Sequence, residues 1–404
     1  MRTAQVWTFS PEGIDFLAPC AGPWPARVPA RSPHSLRQPE RRAQAGFPSH
    51  RGAAMQDISS AIESIRQRLG SRLCIMGHHY ENDAVVEHCD VTGDSLELAR
   101  RIPSIDAEFI VFCGVSFMGE SAALLASPSQ KVLMPEPAAD CQMARMAAAG
   151  AARRVLEQMR ALGLDVLPLA YVNTDVPLKS VVGEFGGSVC TSANAKTMME
   201  WAFNAAERVL FIPDMHLGRN TARQLGIPED EWHLLELGAD GIVNPSAQPL
   251  ERKLLLWPGY CPVHAAYTPA HIEAARRTWP GCRVTVHPEA SPEVTALCDA
   301  AGSTSFLIKD AEARARDGVK ETLVVGTEIN LVHRLAKRCQ GACTIVPLID
   351  GEAAACPDMA MVTPEKLLAS LESIEAGTWK AVVLNEADRE PAALSLTRML
   401  KICG

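Results

Sequence analysis

From Ile58 onward the same order of features recurs three times, and that recurrence constrains the fold more than any single motif does. In the first pass the apolar stretch LCIMG ends at His78-His79-Tyr80, Gly93-Asp94-Ser95 opens a helical pattern, EFIVFCG leads into SFMGESAALLA, and KVLMP leads to Cys141. In the second, LDVLPLA ends at Tyr171-Val172-Asn173, Cys190-Thr191-Ser192 opens a helix, RVLFIP leads into HLGRNTARQLG, and LLLWPGY reaches Cys261. In the third, CRVTV ends at His287-Pro288-Glu289, Gly302-Ser303-Thr304-Ser305 opens a helix, TLVVG leads into NLVHRLAKR, and TIVPLI precedes Cys356.

The spacings agree. Ser95 follows His78 by 17 positions, Ser192 follows Tyr171 by 21, and Ser303 follows His287 by 16. The cysteines follow the same strand ends by 63, 90 and 69 positions, the long interval being absorbed by IPEDEWHLLELGADGIVNPSAQPLERK. Short apolar strands alternating with amphipathic helices imply βαβ units and parallel sheets. The fold class is therefore α/β, with three small sandwich domains. The expected division is 55–150, with the C-terminal helices packing back on it, then 151–275, 276–375, and a C-terminal segment 376–404.

Composition narrows the function classes. A net charge of -8, a pI near 5.8 and no basic stripe interleaved with aromatics argue against a nucleic-acid partner. No apolar run of eighteen or so residues offers a membrane span. Thirteen scattered cysteines, with no CxxC and no secretory leader, point to reduced thiols and a cytoplasmic location. Residues 1–54 hold eight prolines and seven arginines against three acids, and are expected to be disordered. Their shortage of serine speaks against a transit peptide, and Met55 is the favoured initiator.

In parallel α/β sheets the carboxyl ends of strands and the N-termini of the following helices share one edge, where ligands bind. If three such edges converge, one pocket receives three strand-end polar sets, three sets of helix-opening hydroxyls and three cysteines. Ser95, Ser192, Ser303 and Thr304 are placed to cap helices and to bind carboxylate or phosphate. Cys74, Cys113, Cys282 and Cys298 lie in or beside regular elements and read as structural, whereas Cys141, Cys261 and Cys356 sit in Pro- or Gly-bearing turns. The pair Cys339 and Cys343, a lone CxxxC, is a weak metal motif. Three thiolates from three domains can hold three irons of a four-iron cluster and leave the fourth open as a Lewis acid.

With the cysteine turns, HHY, GDSLELAR, YVNT, HLGR, GYCPVH, HPE, GSTS and CPDM in order, the chain from about residue 58 to its end resembles the quinolinate synthase family. The resemblance implies three pseudo-threefold-related three-layer αβα sandwich domains around a central active site with one [4Fe-4S] cluster. It implies condensation of iminoaspartate with dihydroxyacetone phosphate to quinolinate, phosphate and water in NAD biosynthesis. Cys141, Cys261 and Cys356 then match the cluster ligands, and Tyr80, Glu289 and His287 the acid/base groups. His78, Ser95, Tyr171, Asn173 and Ser192 match the carboxylate-holding groups, Ser303 and Thr304 the phosphate anchor, and His216 and His264 further pocket members. The implied partner is a supplier of the imine, an aspartate oxidase or aspartate dehydrogenase.

The chain departs from the family pattern in two places. Only Cys356 stands where some members carry CxxCxxC, and HHYENDAV differs from the more usual loop, which leaves the role of His79 open. The rival readings are another iron-sulfur dehydratase, and a zinc-stabilised protein that only binds a dicarboxylate or sugar phosphate.

Overall fold

The first sheet consists of β1 (Leu73–His78), β2 (Val91–Gly93), β3 (Phe109–Cys113) and β4 (Lys131–Leu133), in the order β2-β1-β3-β4. The second has β5 (Val166–Tyr171), β6 (Ser188–Cys190), β7 (Arg208–Ile212), β8 (Trp232–Leu234) and β9 (Leu254–Leu256), in the order β6-β5-β7-β9-β8. The third has β10 (Arg283–Val286), β11 (Ala300–Ala301), β12 (Thr322–Gly326) and β13 (Thr344–Pro347), in the order β11-β10-β12-β13. Every ladder is parallel. This computed structural model describes residues 50–238, 243–245, 247–318 and 320–403, with side chains from residue 57.

The three sheets thus share one topology, and the second adds β8 at its edge out of the long segment before Cys261. In each sheet the chain winds outward in opposite directions from the central pair, β1/β3, β5/β7 or β10/β12. That makes a switch point, where the flanking helices diverge and leave a crevice at the carboxyl ends of the strands. His78, Tyr171 and His287 end the first strand of each pair or follow it directly.

Helices cover both faces of these sheets, so the strands read as nearly continuous apolar runs. All six residues of β1 and all five of β3 are buried. The third sheet shows its two covered faces plainly. Val284, Val286 and Val324 pack with Tyr267 and Ile272 on one side. Leu323, Val325 and Ile345 pack with Leu307, Leu331 and Leu335 on the other. Apolar side chains of the first two sheets, among them Ile75, Phe112, Leu169 and Phe211, form one shared cluster.

The two C-terminal helices go to different places. Pro364–Glu375 lies against His50–Leu69 beside the first sheet, whereas Glu386–Cys403 lies against Val176–Glu184 and β6 of the second. Gly183 permits that last contact, since a Cβ there would stand 1.9 Å from the carbonyl oxygen of Pro391. Residues 49–404 form one compact unit. The expectations for the leader lie outside the described residues as far as residue 49, and helix His50–Leu69 runs through Met55.

Candidate active site

The carboxyl edges of the three sheets meet around a small cavity of about 70 Å³. His78, Tyr80, Ser95 and Cys141 reach it from the first sheet, Tyr171, Asn173, Ser192, Cys261 and His264 from the second, and His287, Glu289, Thr304 and Cys356 from the third. Two of the residues singled out in the sequence do not line it. His216 is buried beside the Tyr260 ring, on the helix that follows β7. Ser303 is spent as the N-cap of Thr304–Arg316, accepting the Phe306 N–H at 3.3 Å.

The capping expectation is corrected for the other hydroxyls. Asp94, not Ser95, caps helix Ser95–Arg101, through a capping box with Glu97. The second of these helices opens at Ala195 after Asn194, three residues beyond Ser192, because Ser188–Cys190 is a strand. A hydroxyl relieved of capping is free to face the cavity, and Ser95, Ser192 and Thr304 do so.

Glu289 is the electrostatic centre. It accepts the Tyr171 hydroxyl at 2.5 Å and lies 2.8 Å from His264 Nδ1 and 3.8 Å from His287 Nδ1. Burial alone would raise its pKa, but the neighbouring His287 and His264, together with the Tyr171 hydrogen bond, outweigh burial and hold it below the usual carboxylate range. Glu289 therefore stays ionised. Burial pushes His78 and His287 down to about 3, so both rings are neutral. Burial, reinforced by the Glu289 charge, lifts the phenols of Tyr80 and Tyr171 well above their ordinary value and keeps them protonated.

A hydrogen-bonded chain connects the two ends of the site. His264 Nε2 lies 3.3 Å from Thr327 Oγ1, Thr327 Oγ1 lies 2.7 Å from Tyr80 Oη, and Thr304 Oγ1 donates to Tyr80 Oη at 3.2 Å. On the other branch His287 Nε2 lies 3.2 Å from Ser192 Oγ. Proton-carrying groups from all three sheets are thereby joined.

Each of the three cysteines precedes a short helical turn, and backbone N–H groups of that turn act on its thiol. Met143 and Ala144 serve Cys141, His264 serves Cys261, and Asp358 and Met359 serve Cys356. Such donors favour a thiolate. Burial opposes them, lifting Cys141 to about 12, Cys356 to about 11 and Cys261 well above its ordinary value. Three half-buried thiols converging on one cavity are a donor set for a soft metal cofactor. The ligand atoms of Cys261, His264 and Glu289 also lie within 4.8 Å of one another.

The remaining cysteines behave differently. Cys74, Cys113 and Cys282 are buried in cores, and Cys298 gives its thiol hydrogen to the Val294 carbonyl. Cys339 is packed in one core of the third sheet with Cys343 at its border, and neither belongs to a metal-ligand constellation among the described residues. His79 does not line the cavity. It faces an outer cleft, with Nε2 3.7 Å from Glu97.

Sequence reasoning did not single out Asp94, Thr191, Thr327 or Glu328. Glu328 lines the cavity, and its Oε1 accepts the Cys356 N–H at 3.4 Å. The repeat held a signal for it, because Glu328 stands after β12 where Asp214 stands after β7, and both cap the helix that follows.

A sequence profile for the family described as Quinolinate synthetase A protein matches residues 60–401. The chain belongs to the quinolinate synthetase A family. It is 41% identical over 356 residues to the quinolinate synthase of Halalkalibacterium halodurans, covering 85% of this chain and 93% of that one. It is 38% identical to the quinolinate synthase of Corynebacterium glutamicum, covering 93% of each chain, and 39% identical to that of Bacillus subtilis, covering 88% and 95%. Family membership makes the chain an enzyme with quinolinate synthase activity in NAD biosynthesis, and sets aside the reading as a binding protein only.

Proposed function

We propose that this cavity condenses iminoaspartate with dihydroxyacetone phosphate, releasing phosphate and water as quinolinate forms. We further propose that Cys141, Cys261 and Cys356 hold a [4Fe-4S] cluster there. The observation that carries the reading is the convergence of one thiol from each of three sheets on one cavity. When bound, the cluster supplies a Lewis-acidic iron that has no protein ligand.

The chain's own residues divide the remaining work. Ionised Glu289 accepts a proton at Oε2 or Oε1, and His264 and Tyr171 stabilise it before and after. Tyr80, kept protonated and backed by Thr327 and Thr304, gives a proton at Oη to a developing alkoxide or leaving hydroxyl. The hydrogen-bonded series Tyr80–Thr327–His264–Glu289 ties the proton donor to the proton acceptor. His78, Ser95, Asn173 and Ser192 orient the substrate carboxylates through neutral donors, and Thr304 with the N-terminus of its helix anchors the phosphate. His287, neutral and bonded to Ser192, fixes both Ser192 and Glu289. His216 and Ser303 support the pocket wall from outside it.

An aspartate oxidase or aspartate dehydrogenase supplies the imine, which hydrolyses readily and favours direct handover. A cytoplasmic location fits the free thiols at all twelve cysteines described. Among the described residues no helix is long and apolar enough to cross a membrane. The test is anaerobic purification with iron and sulfide counts, followed by a quinolinate assay from dihydroxyacetone phosphate and freshly generated iminoaspartate. About four irons per chain with quinolinate formed supports the reading. A protein that stays inactive and iron-free after cluster reconstitution overturns it.

A further inference from the structure

We propose that Arg334, together with Asn330, is the positioning residue for Tyr80. The loop that carries Tyr80 leaves the first sheet after His78, and its backbone is out of the ladder beyond the His79 N–H, which still bonds the Gly93 carbonyl at 3.2 Å. Its carbonyl groups therefore need other donors. They find them on one helix of the third sheet, Ile329–Arg338.

Arg334 Nη1 donates to the His79 carbonyl at 2.7 Å, and Nη2 donates to the Glu81 carbonyl at 2.5 Å. Asn330 Nδ2 donates to the carbonyl between them, that of Tyr80, at 3.1 Å. Three successive carbonyls are thus gripped from a single helix. Both grips are themselves braced. Arg334 Nε is held by Asp83 at 2.6 Å, and the Asn330 amide and backbone N–H both bond the Glu328 carboxylate, at 3.1 and 2.9 Å. Neither Arg334 nor Asn330 lines the cavity.

The phenol is tied to the same sheet, since Tyr80 Oη meets Thr327 and Thr304. Tyr80 therefore belongs covalently to the first sheet, but both its backbone and its hydroxyl take their position from the third. A fork of two N–H groups at fixed angles holds the carbonyls of His79 and Glu81, either side of Tyr80, which a lysine ammonium on a flexible stem does not reproduce. Rotation of this loop is amplified along the length of the tyrosine ring before it reaches Oη. This inference rests on the reading of Tyr80 as the proton donor.

The test compares kcat and KM for Tyr80→Phe, Arg334→Met, Arg334→Lys, Asn330→Ala and the double variant Tyr80→Phe/Arg334→Met, all cluster-loaded, with iron content measured on each. Misplacing Oη lowers kcat by about tenfold or more in Arg334→Met, with iron retained, and by less in Arg334→Lys. The double variant is expected to be no slower than Tyr80→Phe alone, because the arginine acts only through the tyrosine. Losses that multiply in the double variant, or iron lost from Arg334→Met, overturn the proposal. Should Arg334→Met fail to fold, Asn330→Ala paired with Tyr80→Phe carries the same comparison, as it removes the middle grip and, with it, one amide hydrogen bond to Glu328. Full activity in Tyr80→Phe by itself overturns the underlying reading of Tyr80, and that result is seen before any Arg334 variant is measured.

Discussion

Tyr171 donates its hydroxyl hydrogen to Oε1 of Glu289 across 2.5 Å, although Tyr171 ends a strand of the second sheet and Glu289 lies just past β10 of the third. A hydrogen bond to a buried carboxylate is worth about 1.5–3 kcal/mol, and here it favours the ionised form. Tyr171→Phe should therefore raise the Glu289 pKa and move the acid limb of the kcat/KM profile to higher pH. An unmoved acid limb would show that the tyrosine does not tune this carboxylate.

The thiols of Cys141 and Cys113 both belong to the first sheet, yet only Cys141 reaches the cavity, Cys113 being wholly buried in the core. Cys141→Ala should abolish iron binding and activity, while Cys113→Ala should keep both and lose only a little stability. Iron counts and absorbance near 400 nm, to either side of reconstitution, check this. Retained iron and full activity in Cys141→Ala would remove it from the ligand set.

Two buried histidines each give the fold an acid-sensitive contribution in a defined window. His78 and His287 are depressed to about 3 by burial, so the folded chain leaves them neutral where the unfolded chain protonates them. Stability from each is fully present above the unfolded value near 6.5, and is lost as the pH falls from there toward 3, by about 1.4 kcal/mol per pH unit per histidine. The lowered pKa of Glu289 acts in the same direction at still lower pH. Buried Glu81, raised to about 9, and Glu328, raised to about 7, act in the opposite direction, so the check is differential: the gap between the urea midpoints of the native chain and of His287→Gln should change steadily below pH 6.5. A gap constant down to pH 5 would contradict the assignment of a neutral buried ring.

Lys179 is completely buried on the helix after β5, with its ammonium donating to the Thr174 carbonyl and lying 5.4 Å from the Phe117 ring centroid. Burial lowers its pKa to about 8, while the nearby Glu120 and Asp175 carboxylates support the charge. Lys179→Met should cost about 3–5 kcal/mol, because two carboxylates lose their counter-charge in a poorly solvated place. Urea denaturation measures this. Addition of Glu120→Gln should recover part of the loss, and failure to do so would mean that the lysine acts by packing alone.

Much of this architecture was legible because each apolar strand and each amphipathic helix announces itself locally. LCIMG, LDVLPLA and CRVTV became β1, β5 and β10 with their polar ends at the sheet edge. The strands β2, β6 and β11, of two or three residues, were not legible, as no alternation can be seen over so short a span. That gap is why Ser192 looked like a helix cap: Ser188–Cys190 was not recognised as a strand, and the true opening lies at Ala195. Asp94 was read as part of a motif rather than as the cap that frees Ser95.

The sequence by itself determined the α/β class, the threefold recurrence and which side chains stand at strand ends, since these follow from periodicity within a few residues of each position. Only the tertiary structure decided that Tyr80 answers to Thr327, Thr304 and Arg334, that Glu289 answers to Tyr171 and His264, and that His216 and Ser303 stand outside the cavity. The partners of the Tyr80 hydroxyl and the Glu289 carboxylate lie from 25 to 247 positions away in the chain. Hydrogen-bond distance and burial are properties of packed sheets, and no local pattern of residues encodes them.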